Sequence, residues 1–311
     1  MSKETNKIVK VQHIGIDVGR GYTKCYSKFD GEELKANFKS IIGLGRKMDF
    51  SEYDNPLYIE VEDDEYFVGH LAEKEGDNPL QIMTDDKTSD DIKILICAAL
   101  SQVAQSEHVK ICLGVPNKMF KKSVLVAVEE KYKNQELLIK DKITGAFKKI
   151  LIRDITIFRE GDAALLWHAN NHPGLQNGPI GMATVGFRTT ELAYYDKGLK
   201  YNDKLSTTLE IGNRTSLDYV ARTLKAKGII RPLSEIDSSD LYDAEKKKAY
   251  RILSSTVDNA IESAWINLSE MAVFIAGGTA LNLNVSHELI DDPQMAVSKG
   301  LWLMATKKFC A

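Results

Sequence analysis

Apolar residues occupy every second position from Ile14 through Ile16 to Val18, the period of a strand, and Gly19 and Gly21 then break it with a turn. Residues 22–29 (YTKCYSKF) read as the returning strand, and Asp30-Gly31 is a two-residue hairpin signal before a third strand through Phe38. The chain therefore opens on an antiparallel three-strand meander. Further on, Ile92, Leu95, Ile96, Ala99, Leu100 and Val103 form one apolar stripe at helical spacing. Ser89 can cap that helix, with Asp90 and Asp91 in the first turn, where carboxylates favour the dipole. Residues 109–115 (VKICLGV) are a continuous apolar strand ended by Pro116; a helix over about 118–131 and strands near 136–140 and 147–158 follow.

A short helix over about 162–169 leads through the turn-rich NNHPGLQNGP to a new start. Residues 180–185 (IGMATV) form a strand that breaks at Gly186, returns as TTELAYY, turns at Lys197-Gly198 and continues as a third strand to about Ile211. The pattern then predicts helices over 214–227 and 250–268, and a buried strand at 271–276 that ends in Gly277-Gly278. The polar, acidic stretch 233–248 reads as a surface excursion or short helices. Strands alternating with helices make this an α/β chain.

The second meander repeats the first. DVGRGYTK (17–24) and TVGFRTTE (184–191) share a strand ending in Val-Gly, three variable positions and then Thr, about half a chain apart. Two such starts indicate duplicated halves that face each other. Glycine in the turn removes the Cβ that would block close approach, so successive backbone amides can point at phosphate oxygens. Thr23, Lys24, Arg188 and Thr189 can add donors; two plain glycine-turn hairpins are the alternative. A third glycine element, Gly277-Gly278-Thr279, lies between a buried strand and an expected helix start, a place for a phosphate or ribose.

At 311 residues, 43% hydrophobic and 27% charged, the composition is that of an ordinary globular chain, long enough for two domains. A net charge of −3 argues against neutralising nucleic-acid phosphates as the main work, so no direct nucleic-acid partner is expected. No apolar run approaches the ~20 residues of a membrane span, and the first residues lack the core of a secretory leader, so a cytoplasmic protein without a membrane partner is expected. Cys25, Cys97, Cys112 and Cys310 show no CxxC spacing and are expected as reduced thiols, the first three buried. Trp167, Trp265 and Trp302 fall on helix stripes and are expected in the core.

These segments together resemble the superfamily of actin, sugar kinases and DnaK-type chaperones. IGIDVGRGYTK resembles its first phosphate loop, FREGDAALL (158–166) its first connecting segment, and MATVGFRTTELAYY its second phosphate loop. FIAGGTALNL resembles the adenosine segment and PQMAVSKGLWLMA (293–305) the second connecting segment. The short length makes the chain most similar to the bacterial and archaeal actin-like ATPases, in particular ParM-type plasmid segregation proteins.

The resemblance implies two related actin-like (ribonuclease H-like) domains, with mixed sheets flanked by helices and a nucleotide cleft between them. Domain I would span 1–158, with a C-terminal helix (294–311) returning to it, and domain II 159–293. It implies ATP or GTP with Mg2+ as cofactors, Asp17 holding the metal through water. Gly19, Arg20, Gly21, Tyr22 and Lys24 would line one side of the phosphates and Gly186, Phe187, Arg188 and Thr189 the other. Gly277, Gly278 and Thr279 would meet the nucleoside, and Gly212 would approach it. Glu160 stands where the family keeps a Glu or Gln that orients the attacking water. Its partners would be further copies of itself in a filament and a centromere-binding adaptor linking it to plasmid DNA.

One position departs from the family. The second loop usually begins with Asp, and this chain has Thr184 there. Loss of that carboxylate, a group worth roughly 10²- to 10⁴-fold in rate, predicts slow hydrolysis, or dependence on assembly to complete the site, with nucleotide binding kept. A nucleotide-gated scaffold without significant hydrolysis therefore stays open. A small-molecule kinase or phosphatase of the same fold is the other alternative, although no DxG-type base stands out beyond the five segments.

Overall fold

The computed structural model describes residues 10–310; the opening residues, read above as lacking a leader, lie outside that range. Strands β1 (Val11–Val18), β2 (Tyr22–Phe29) and β3 (Glu32–Lys39) form the predicted meander. Asp30 and Gly31 both take positive φ, 50° and 88°, the turn whose twist matches that of the strands it joins. Then come β4 (Ile41–Leu44), β5 (Leu57–Val61), β6 (Asp64–Val68), α1 (His70–Glu75), β7 (Asp77–Gln81) and α2 (Asp90–Val103). They are followed by β8 (His108–Val115), α3 (Lys122–Tyr132), β9 (Glu136–Asp141) and β10 (Phe147–Arg159). All ten strands join one sheet, in the order β3-β2-β1-β8-β10-β9-β5-β6-β4-β7.

The second half holds α4 (Glu160–Asn171), β11 (Ile180–Val185), β12 (Thr190–Asp196), β13 (Lys200–Leu209), α5 (Asn213–Ala226) and α6 (Leu233–Ser238). It continues with α7 (Asp243–Ala264), β14 (Ala272–Ala276) and β15 (Glu288–Leu289), after which α8 (Ala296–Phe309) packs back on the first sheet. Its sheet runs β13-β12-β11-β14-β15. The repeat read from the sequence is thus a repeat of topology. In each sheet the first meander strand is flanked on its free side by two successive parallel strands, β8 and β10 beside β1, and β14 and β15 beside β11.

Helices cover both faces of the first sheet. The α2 stripe is buried against the first sheet, with the Ser89 hydroxyl accepting from the Ile92 amide as the cap. On the other side α8 crosses β1 so closely that a Cβ on Gly15 would lie 2.2 Å from the Ser298 carbonyl oxygen. The same helix touches α4 backbone to backbone, since a Cβ on Gly300 would fall 1.8 Å from the Ala163 carbonyl oxygen. α4 and α8 therefore form the seam between the halves.

Several elements differ from the sequence expectation. The helix placed over 118–131 begins as a 3-10 turn, Asn117–Met119, before α3, and the Asn117 amide, which no helix of either kind would use at that position, donates to the Glu191 carboxylate. α4 starts at Glu160, two residues early, with Arg159 pairing Asp162 in its first turn. α7 starts at Asp243 and not at 250; its first two turns are lysine-rich and anchored by Lys246, which donates to the Asp237 and Ser239 carbonyls. It stops at Ala264, where Trp265 turns to pack against Gly181. After Gly277-Gly278 comes only a five-residue 3-10 segment, so no helix dipole of useful length begins there. Cys25, Cys97 and Cys112 are buried thiols. Trp265 is in the core, whereas Trp167 and Trp302 are half-buried beside Tyr26 at the seam. No helix among the described residues is long and apolar enough to cross a membrane.

Candidate functional site

β1 and β11 both end at a glycine hairpin on the edge of one cleft, the place where ligands bind at the carboxyl ends of parallel strands. The cleft encloses about 210 Å³ and is lined by Asp17, Lys24, Lys87, Glu160 and Thr184 together with residues of both hairpins and of Gly277–Thr279. The hairpins touch. A Cβ on Gly21 would lie 2.7 Å from Cβ of Phe187, so only glycine permits the contact. Each hairpin closes on itself, through Gly19 N–H to the Tyr22 carbonyl at 3.2 Å and Gly186 N–H to the Thr189 carbonyl at 2.9 Å. Those two amides are thereby spent, which leaves the amides of the intervening residues to face a ligand.

Each hairpin is also braced from behind. Ser40 donates from its hydroxyl to the Gly19 carbonyl at 2.6 Å, and Lys87, buried, donates to the Val18 carbonyl at 2.8 Å. On the other side Gly277, at φ 99°, brings its α-carbon against the Val185 carbonyl. The Thr279 hydroxyl donates to the Gly186 carbonyl at 2.9 Å, and the first amides of α5 donate to the Gly186 and Phe187 carbonyls. Gly212 is glycine because a Cβ there would sit 2.5 Å from the Gly186 carbonyl oxygen.

The residues singled out from the sequence come together with three qualifications. Arg188 pairs with Glu210 at 2.8 Å on the rim, both ends exposed, and does not reach inward. The Thr279 hydroxyl is engaged in bracing the second hairpin. Arg20 turns to Asp85 at 2.6 Å, an ion pair that Lys118 joins at 3.6 Å. Lys24 stands 3.3 Å from the buried carboxylate of Asp17.

Asp85, Lys87, Asn117 and Glu191 were missed by the sequence reading. The first two lie in a stretch without a clear period. Glu191 is on a strand buried on both faces, so alternation carries no sign of where it points. Asn213, Tyr250 and Asp237 form a further hydrogen-bonded chain at the other end of the cleft.

Among the described residues no three His, Cys, Asp or Glu side chains gather as a metal cage. A hydrated Mg2+ shared with phosphates needs only one or two carboxylates, and Asp17, buried at the foot of the first hairpin, fits that demand.

Two carboxyl groups here have displaced acidities. Burial first, then the Asp17 charge, push Glu160 up to about 8, with Lys87 opposing. Glu160 can be reached from the cleft, but protein surrounds it closely enough to strip most of its hydration. Burial pushes Glu191 up to about 7, against the Asn117 amide that favours its charged form. The folded chain thus keeps protons that the unfolded chain releases, and stability falls as pH rises from the ordinary carboxylate range to about 8. Melting of nucleotide-free Glu160→Gln should show a Tm advantage over the parent that is small near pH 5 and grows to a plateau above pH 8. A difference independent of pH would refute the displaced acidity.

Residues 15–161 match the family model for the N-terminal domain of actin-like proteins. Comparison with curated proteins gives no match. Among solved structures, the archaeal actin homologue Ta0583 is similar with a TM-score of 0.80 at 18% identity, over 95% of this chain and 99% of that one. ParM in a 15-stranded filament from Clostridium botulinum gives a TM-score of 0.80 at 21% identity, over 96% of this chain and 99% of that one. Bacillus thuringiensis ParM with ATP gives 0.70 at 15% identity, over 97% of this chain and 100% of that one.

Proposed function

The chain has the actin-like fold, close to that of ParM, and from that premise we propose that it binds a magnesium purine nucleoside triphosphate between its two hairpins and polymerises. The observation that carries this reading is the meeting of two glycine hairpins, one from each half, across a cleft that also holds Asp17 and Glu160. Free amides at positions 20–22 and 187–189 would take the phosphate oxygens from opposite walls. Lys24 and Lys87 add positive charge beneath the first hairpin. Asp17 would hold the metal through its water shell, and Mg2+ when bound neutralises phosphate charge. Glu160 would orient the attacking water and accept its proton, a task that suits a carboxyl group titrating near neutral pH.

Polymerisation is supported by the likeness to a ParM filament and follows from a nucleotide that favours one relative placement of the halves, since identical subunits in a head-to-tail contact that does not close build a filament. The moving bodies in this reading are 1–158 with 294–311, and 159–293. A plasmid-segregation role in the cytoplasm, through a centromere-binding adaptor, rests on the ParM likeness. Thr184, whose buried hydroxyl has no partner among the described residues, favours slow turnover and lends weight to a second reading, a scaffold gated by nucleotide without hydrolysis.

Adding ATP or GTP with Mg2+ to purified protein should raise light scattering and move the protein into the pellet, and EDTA should prevent both. Protein that binds neither nucleotide in a fluorescence displacement assay would end the nucleotide reading. Protein that binds but never sediments would end the filament reading alone.

A further inference from the structure

Behind Thr184 the wall of the cleft contains buried polar atoms that the fold itself leaves unused. Thr184 on β11 and Glu191 on β12 are direct cross-strand neighbours, which puts their side chains on one face with Cβ atoms about 5 Å apart. Glu191 is only 3% exposed. Its Oε1 accepts from the Asn117 amide at 3.0 Å, tying the second half to the turn after β8. Its Oε2 has no partner among the described residues, and neither have the Thr184 hydroxyl, Asn117 Oδ1 and Asn117 Nδ2. Buried polar groups are nearly always paired, and a bare carboxylate oxygen is among the costliest to leave alone. Four orphaned atoms on three neighbouring residues therefore mark a place built for something other than stability.

That place adjoins the reaction cleft. Thr184 lines it, as do Pro116 and Lys118 on either side of Asn117. The two hairpins are also related by register. Asp17 faces Lys24 across the first, and Thr184 faces Glu191 across the second. In the first hairpin the acid is on the inner strand. In the second it has moved to the return strand, one residue behind the cleft surface.

We propose that Glu191 is a positioning residue for hydrolysis: with the Thr184 hydroxyl and the Asn117 side chain it holds a water in the cleft wall, supplying from the return strand the carboxylate that position 184 lacks. Four acceptor and donor atoms satisfy the two to four partners that a buried water requires. The inference rests on the nucleotide reading above. In the step it assists, the attacking water bonds to the terminal phosphorus, the bond from that phosphorus to the diphosphate oxygen breaks, and the water's proton passes to Glu160. Glu191 makes and breaks no bond; through the wall water and the Thr184 hydroxyl it orients the attacking water.

Glu191→Gln separates this role from a structural one. Glutamine keeps the oxygen that accepts from Asn117 and brings an amide that can donate to Asn117 Oδ1 or to Thr184, so a structural role alone survives it. The variant is expected to release phosphate roughly a hundredfold more slowly, to bind the magnesium nucleotide within about threefold of the parent, and to melt at the same temperature or higher. Adding Thr184→Asp to Glu191→Gln should restore roughly tenfold or more of the rate, since the carboxylate then returns at the cleft surface. Parental turnover in Glu191→Gln, a loss of rate matched by a loss of Tm, or a double variant no faster than Glu191→Gln would each overturn the proposal. A parent that binds nucleotide and sediments but releases no phosphate would overturn it while leaving the nucleotide and filament readings standing. Absence of binding in the parent would remove the premise itself.

Discussion

Glu160→Gln should slow phosphate release by about two to three orders of magnitude and leave magnesium-nucleotide affinity within a few-fold of the parent. The side chain projects into the cleft from the first turn of α4, over Gly114 and beside Asp17. There burial and the Asp17 charge hold its carboxyl near neutral acidity, where a proton acceptor works best. Glutamine keeps the size and an oxygen to orient water but cannot take a proton. The hairpin amides, Lys24 and Lys87, which in the proposed reading bind the phosphates, are untouched. Filaments that use hydrolysis as a timer should consequently outlast those of the parent in a pelleting time course. Single-turnover phosphate release alongside nucleotide displacement reads both quantities. An unchanged rate would take Glu160 out of the reaction, and a rate that falls only as fast as affinity would make it a binding residue.

Gly300→Val should cost about 4 kcal/mol or more, beyond the usual range for overpacking, and lower Tm by about 10 °C. The new Cβ would lie 1.8 Å from the carbonyl oxygen of Ala163 and 2.8 Å from its α-carbon, both backbone atoms that no rotamer change can move. α8 has no room to retreat, because its other side is pressed on Gly15 of β1 at 2.2 Å by the same measure. The strain must therefore open the α4 and α8 seam that joins the halves. Gly178→Ala is the matched control, since a Cβ there meets nothing within 4 Å and its φ is −137°. Differential scanning calorimetry of the two variants decides the matter; equal melting would mean that the seam yields more easily than its backbone contacts imply.

Local periodicity was enough for the elements that bury one face over eight or more residues. The β1 to β3 meander, its Asp30-Gly31 turn and the α2 stripe are written in alternation, glycine placement and capping, whereas the second meander, whose β11 and β12 are six and seven residues long and buried on both faces, was legible from its glycine break and its likeness to the first. Because the two meanders share a pattern, the doubled topology was legible too. Strands β4 to β7 were not, since four or five residues hold barely two alternations, and several of their side chains pack against neighbouring strands of the same half. The lysine-rich start of α7 hid for a related reason: its anchors are carbonyls on another segment, which no stripe records.

The site divides along the same line. By itself the sequence determined where the chain must turn on glycine, which strands end there, and that Asp17 and Glu160 stand beside the first turn and the connecting segment. Only the tertiary structure decided what those residues touch. Lys87 reaches Val18 across 69 positions and Asn117 reaches Glu191 across 74, while Thr279 is diverted to the Gly186 carbonyl and Arg188 to Glu210 on the rim. Periodicity reports whether a face is wet or dry, a property of neighbours along the chain. Charge pairing, displaced acidity and unused hydrogen-bonding capacity depend on groups that meet only when two sheets have been set against each other, and that placement is fixed by backbone contacts at Gly15 and Gly300 and by the Phe187 side chain against Gly21.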